Sequence, residues 1–281
     1  MGSRIEVRPL AGALGAEIFG VDLAEPLGDA AFEAIHRAFL DNVVIFFRDQ
    51  RLDPEQYKAF GRRFGELEIH RYLKGLEGHP EVLPIVREPD DREVFAAGWH
   101  SDVTYQERPV LGAMLYARDV PGYGADTLFA NQYLAYETLS PGMRAWLDRL
   151  TGIHGTAKVY DPYAKMGVHD SLLKGERNAA RTAEEVEHPV VRTHPETKRK
   201  ALFVNPHYTL RFKDMTETES KPILDFLFAH AIRPEFTCRF RWAENSIAFW
   251  DNRCTLHTPI DDYFGKRRVM HRITIKGDRP R

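Results

Sequence analysis

Gly98-Trp99-His100-Ser101-Asp102-Val103-Thr104-Tyr105 sets a histidine and a carboxylate two residues apart in a run of β-favouring residues. Side chains alternate faces along a strand, so His100 and Asp102 are expected on one face, about 6.6–7 Å apart at their Cα atoms. One nitrogen and one oxygen donor so placed can give two ligands to a divalent metal. His257, in Cys254-Thr255-Leu256-His257-Thr258, would supply a third. Two histidines and one carboxylate leave half an octahedron open, the arrangement that non-haem Fe(II) oxygenases use. The triplet alone also fits a plainer role, an imidazole hydrogen-bonded to a neighbouring carboxylate at a strand end. With 12 histidines and 41 acidic residues in the chain, a chance His-x-Asp is expected about once.

Composition narrows the classes. The 281 residues are 43% hydrophobic, enough for a large core, and the net charge of −2 offers no basic field for nucleic acid. Cys238 and Cys254 have no ligand spacing and imply a reducing compartment without a disulfide framework. No apolar run approaches the roughly 18 residues of a membrane span, and the start lacks a signal-peptide core. A cytoplasmic protein without membrane or nucleic-acid partners is expected.

Along the chain, residues 4–20 read as two short strands broken by Gly12 and Gly15. An amphipathic helix from Asp29 carries Phe32, Ile35, Phe39 and Leu40 on one face. Asn42 to Phe47 is a buried strand. Asp53-Pro54-Glu55-Gln56 has a helix-start signature, with the helix stopping near Gly65. Val82–Val86, Leu111–Ala117 and the run through Thr127 to Phe129 read as strands. Ser140-Pro141 opens a helix whose Met143, Trp146, Leu147 and Leu150 are expected in the core. Residues 158–187 are polar, and so long a stretch implies a lid or a flexible insertion. Val190–His194 and Ala201–Asn205 predict a hairpin with a solvated basic tip. Thr216–Ala231 reads as a helix with Pro222 in its first turns. Strands throughout, with helices in blocks, favour a mainly β fold with flanking helices over a parallel α/β fold.

The C-terminal stretch Arg268-Val269-Met270-His271-Arg272-Ile273-Thr274-Ile275 has period two. If Val269, His271, Ile273 and Ile275 meet apolar core, Arg268, Met270, Arg272 and Thr274 line solvent or a polar cavity. Arg268 and Arg272 would then stand about 13 Å apart at Cα, far enough to grip two different anions. An exposed edge strand with charges against aggregation is the other reading of that pattern.

With these words in order, the chain resembles the Fe(II)/2-oxoglutarate dioxygenases of the taurine dioxygenase (TauD/TfdA) family. The likeness is carried by Trp99-His100-Ser101-Asp102-Val103-Thr104, Ala125-Asp126-Thr127-Leu128, His188-Pro189-Val190-Val191-Arg192, Phe249-Trp250-Asp251-Asn252-Arg253 and Arg268-Val269-Met270-His271-Arg272. It runs from about residue 5 to 280. It implies one taurine dioxygenase-like domain over 1–281 with a double-stranded β-helix (jelly-roll) core, forming a dimer or tetramer.

The resemblance also implies roles. His100, Asp102 and His257 would hold Fe(II). Thr127 and Arg268 would grip the distal carboxylate of 2-oxoglutarate. Arg272, with His70 and the backbone at Val103, would face the anionic group of the primary substrate. With O2 as the other cosubstrate, hydroxylation would release succinate and CO2; because Asp102 is present, hydroxylation is favoured over halogenation. Taurine dioxygenases carry an asparagine shortly before His-x-Asp, where this chain has Phe95-Ala96-Ala97-Gly98. Two family glycines are here Gly124-Ala125. Among small anions such as a sulfonate, an alkyl sulfate or an aryloxy or alkyl carboxylate, fewer polar groups suggest an acid with an apolar tail more than taurine itself; alkyl sulfates, aryloxyalkanoates and carboxylated natural-product intermediates all fit. A jelly-roll binding or sensing protein that keeps the metal and a zinc hydrolase are the alternatives; the intact ligand set with Thr127 and Arg268 weighs against the first, and the second gives no reason for an anion clamp at Arg268. Trp99, Trp250, His154, His188, His194, His207 and His271 are expected to be structural or exposed.

Overall fold

A computed structural model describes residues 5–70, 73–91, 97–157 and 185–281. The strands are β1 (Glu6–Pro9), β2 (Ala16–Phe19), β3 (Val44–Phe47), β4 (Leu83–Arg87), β5 (Gly112–Asp119), β6 (Thr127–Asn131), β7 (Thr151–His154), β8 (Val186–Pro189), β9 (Val191–Thr193), β10 (Lys200–Leu202), β11 (Thr209–Phe212), β12 (Thr237–Phe240), β13 (Ile247–Asp251), β14 (Thr255–Pro259) and β15 (Arg268–Ile275). The helices are α1 (Asp29–Asn42), α2 (Pro54–Arg62), α3 (Gln132–Glu137), α4 (Pro141–Leu147) and α5 (Glu217–Ala231). The fold is mainly β with few helices, as expected.

A seven-stranded sheet in the order β1-β2-β3-β13-β5-β15-β4 faces a three-stranded sheet, β12-β6-β14. Every pairing in the larger sheet is antiparallel except β2 with β3. Period-two alternation explains how its strands serve two cores. Ile45, Phe47, Met114, Tyr116, Ile247, Phe249, Ile273 and Ile275 pack under α1 and α2, where Phe39 stacks on Phe249 at 4.1 Å. The alternate residues, among them Phe46, Leu115, Ala248, Trp250 and Met270, meet Phe129 and Phe240 of the smaller sheet. Phe46 stacks on Phe240 at 4.0 Å. The outer face of the smaller sheet, through Ala130 and Leu256, packs against residues from α3 and α5. The arginine face of β15 is therefore the one turned between the sheets.

Local signals explain the helix ends. Asp53 accepts from the Gln56 amide while the Gln56 side chain accepts from Asp53 N–H, a closed capping box with Pro54 in the first turn. Thr216 and Glu219 form the same box at the start of α5. Helix α1 stops at Val43, in a left-handed conformation with φ 67 and its N–H on Phe39 O.

Four expectations need correction. The His-x-Asp stretch is not a strand: His100 makes an isolated bridge, and residues 102–105 form a turn. Trp146 is 39% exposed rather than core, because only Leu147 of the seven-residue α4 turns fully inward. Helix α3 and strands β7, β11, β12 and β14 were not foreseen in the sequence. Residues 186 and 187, assigned to the polar insertion, belong to β8, which pairs with β7; residues 158–184, like Tyr72 and Phe95-Ala96, lie outside the described residues. The hairpin at 190–205 is β9 with β10, and its tip residues Lys198, Arg199 and Lys200 are exposed. No helix among the described residues is long and apolar enough to cross a membrane.

Candidate active site

Two histidines far apart in sequence are placed opposite each other by the backbone. His100 N–H donates to His257 O at 3.0 Å, and His257 N–H donates to His100 O at 2.8 Å. Directly opposed residues of an antiparallel pair project their side chains to one face, and the two rings lie 4.2 Å apart. Asp102 reaches the same point from the following turn. Its Oδ1 stands 3.6 Å from His100 Nε2 and 3.8 Å from His257 Nε2. All three residues are buried, and their ligand atoms lie within 4.8 Å of one another.

Electrostatics put the three groups in the protonation states that a metal requires. Burial, reinforced by the other imidazole, pushes His100 well below its usual range; burial lowers His257 to about 4. His100 Nδ1 lies 2.9 Å from Gly98 O. Neutral His100 therefore carries its proton on Nδ1 and turns a lone pair on Nε2 toward Asp102. Burial would raise Asp102, but Arg272 and the two histidines overcome it and hold the carboxyl at about 2. Arg272 Nη2 sits 2.7 Å from Asp102 Oδ2. Two neutral imidazoles and a carboxylate, dry and convergent, fit a divalent cation.

The anion groups lie on both sides of this cluster in sequence. Thr127 Oγ1 accepts from Trp242 Nε1 at 3.0 Å, and the Arg268 guanidinium lies over the same indole at 5.9 Å. Arg268 is 7% exposed, and its Nε meets no acceptor among the described residues. Thr127 and Arg268 thus converge on Trp242, and Arg272 on Asp102. Val103 is left-handed at φ 47. His70 Nδ1 accepts from Leu73 N at 3.0 Å.

Two residues near the cluster were not assigned to it from the sequence, where His207 is expected to be structural or exposed. The His207 ring is 4.9 Å from His100, with Nδ1 3.2 Å from Trp99 O. Gly98 has φ +96, a conformation that favours glycine, and a Cβ there would come within 2.8 Å of the His207 ring. Glu68 lies beside Gln106, 3.5 Å from its amide, and burial raises its carboxyl; an isolated glutamate carries no signal of this in the sequence. Trp250 and Trp99 pack near the site as expected: Trp250 lies 4.6 Å from the His257 ring, and Trp99 packs on the core beneath the smaller sheet.

A second buried trio, His194, Asp251 and Cys254, is a closed network rather than a metal centre. His194 Nδ1 accepts the amides of Glu196 and Thr197, so its Nε2 carries the proton given to Asp251 at 3.0 Å. Arg253 grips both oxygens of Asp251, and burial keeps the Cys254 thiol protonated.

A β frame holding two histidines and one carboxylate in this way defines the class of mononuclear non-haem metal proteins. The chain belongs to the taurine catabolism dioxygenase TauD, TfdA family, whose description it matches over residues 6–274. It is 35% identical to an alpha-ketoglutarate-dependent sulfate ester dioxygenase of Pseudomonas putida, over 98% of this chain and 91% of that one. It is 32% identical to an alkylsulfatase of Acinetobacter baylyi, over 98% of this chain and 86% of that one. In structure it resembles the crystal structure of a putative alpha-ketoglutarate-dependent taurine dioxygenase from Burkholderia xenovorans. That comparison has TM-score 0.84 and 38% identity, over 99% of this chain and 94% of the other.

Proposed function

We propose that this protein is an Fe(II)- and 2-oxoglutarate-dependent dioxygenase that hydroxylates a small organic anion, with release of succinate and CO2. The observation that carries the reading is the convergence of His100 Nε2, His257 Nε2 and Asp102 Oδ1, with two arginines on the adjoining strand β15. The facing sheets are then the two walls of a double-stranded β-helix within one taurine dioxygenase-like domain. The two buried, unpaired cysteines suit a reducing cytoplasm, and a dimer or tetramer is the expected assembly.

His100, Asp102 and His257 would hold the iron, which when bound couples O2 reduction to decarboxylation of the 2-oxo acid and oxidation of a substrate C–H bond. Thr127 and Arg268 would receive the distal carboxylate of 2-oxoglutarate, hydroxyl and guanidinium together making a charge-assisted grip. Trp242 orients the Thr127 hydroxyl for this task. Arg272, aided by His70 and the Val103 backbone, would orient the substrate anion while its contact with Asp102 keeps that carboxylate ionised. Burial of the three ligands excludes bulk water from the reacting centre.

Sulfate esters and aryloxyalkanoates with apolar tails are the favoured substrates, supported by the sulfate ester dioxygenase and alkylsulfatase among the relatives. Anaerobic addition of Fe(II) and 2-oxoglutarate should give a weak visible charge-transfer band, and oxygen should then yield succinate. Asp102→Ala should lose both; full turnover by that variant would overturn the ligand assignment. In a succinate-coupled screen, preference for taurine over every apolar-tailed acid would end the substrate assignment while leaving the reaction class standing.

A further inference from the structure

Asp102 has no strand partner, yet its main chain is held at two points by one side chain. Asp102 N–H donates to Asn252 Oδ1 at 2.7 Å, and Asn252 Nδ2 donates to Asp102 O at 3.0 Å and to Val110 O at 3.3 Å. Asn252 is fully buried, and its own N–H donates to Leu111 O at 2.9 Å. A carboxamide offers the same donor and acceptor as a peptide group, so Asn252 replaces the neighbouring strand that the turn lacks. We infer that Asn252 is the positioning residue that sets the Asp102 carboxylate for metal binding, an inference that rests on the site being a metal centre.

Two further observations fit this role. Val103, the next residue, is β-branched and left-handed at φ 47, a conformation that persists only where the surroundings over-determine it. Arg272 contacts the outer oxygen of the same carboxylate, so Asp102 is held at its main chain by Asn252 and at its tip by Arg272. Asn252 also stands in the turn that leads from β13 to β14, the strand bearing His257. Asp251 and Arg253 anchor this turn to the β9–β10 hairpin through His194 and Glu196. One turn thus orients the carboxylate and launches the strand with the second histidine.

The test is metal binding, read without turnover. Mn(II) is titrated into wild type, Asn252→Ala, Asn252→Asp and Asn131→Ala, with unbound Mn(II) followed by electron paramagnetic resonance. Asn131 is also buried but caps α3 and bonds Ala13 O, so it controls for loss of a structural asparagine. Expected are a 10–100-fold loss of affinity in Asn252→Ala and wild-type affinity in Asn131→Ala despite a lower Tm. Asn252→Asp keeps the acceptor for Asp102 N–H and the side-chain volume but removes the Nδ2 donor. It should also lose affinity, and it decides the question if the alanine variant does not fold. Wild-type affinity in either folded Asn252 variant overturns the inference. A wild-type protein that takes up no Mn(II) or Fe(II) overturns the metal-centre reading instead.

Discussion

Arg268 and Arg272 share a strand face but are met by different groups. Arg272 is engaged by Asp102. Arg268 has the Tyr263 hydroxyl nearby and no carboxylate partner among the described residues, and burial lowers its pKa. A buried guanidinium without a counter-anion weakens the protein that carries it. Its partner would be the distal carboxylate of the cosubstrate. Arg268→Met should therefore raise the KM for 2-oxoglutarate about 10–100-fold, or roughly 1.4–2.8 kcal/mol, with a smaller change in the KM of the primary substrate. The same substitution should leave the Tm of the unliganded protein equal or higher, while abolishing its rise with added 2-oxoglutarate. A variant whose Tm still climbs with the cosubstrate as in wild type would place the carboxylate elsewhere.

At the scale of the element, strands β7 and β8 hold the turn that follows the candidate metal ligands. His154 Nδ1 and Asn205 Nδ2 meet Thr104 Oγ1 at 3.1 and 3.0 Å, and His188 Nε2 lies 3.0 Å from both Thr104 O and Gln106 O. The His188 ring therefore keeps its proton on Nε2, and burial lowers its pKa to about 4. The unfolded chain takes up that proton first, near pH 6.5. The contribution of His188 is thus complete above pH 6.5 and lost as pH falls toward 4, by at most about 3 kcal/mol. His188→Gln keeps a donor for the two carbonyls without titrating. Its stability, followed by Tm against pH, should fall less steeply than wild type across that window. Parallel curves for the two proteins would contradict this.

The same elements mark what could be read beforehand. The capping box at Asp53 and the alternation in β15 are local patterns, and both appear as expected. His100 and His257 could be paired only through the resemblance, since no periodicity joins residues so far apart. The turn at Asp102 was hidden because a side-chain amide, not a strand, completes its hydrogen bonds. At Ala125, where the resemblance implies glycine, the chain keeps the left-handed conformation at φ 60, with its N–H on Asp262 Oδ1 at 2.7 Å.

For the molecule as a whole, two sheets enclose the site and helices cover the outside of each. The central strands β13, β5 and β15 are paired on both edges, whereas β1 closes one margin with four exposed residues. Amide hydrogen exchange should run slowest in β13, β5 and β15 and fastest in the β1–β2 hairpin. Equal protection across the larger sheet would mean that it opens only as one unit.

The position of β15 also bears on how the chain can be made. It is inserted between β5 and β4, both of which leave the ribosome much earlier. Until residue 275 has emerged, those two strands have unpaired edges and the arginine pair is missing. Synthesis at about 5–20 residues per second therefore leaves a gap of several seconds, or longer, in which the nascent sheet is open to a chaperone or to another growing copy. The binding face is completed late, once translation has passed β15.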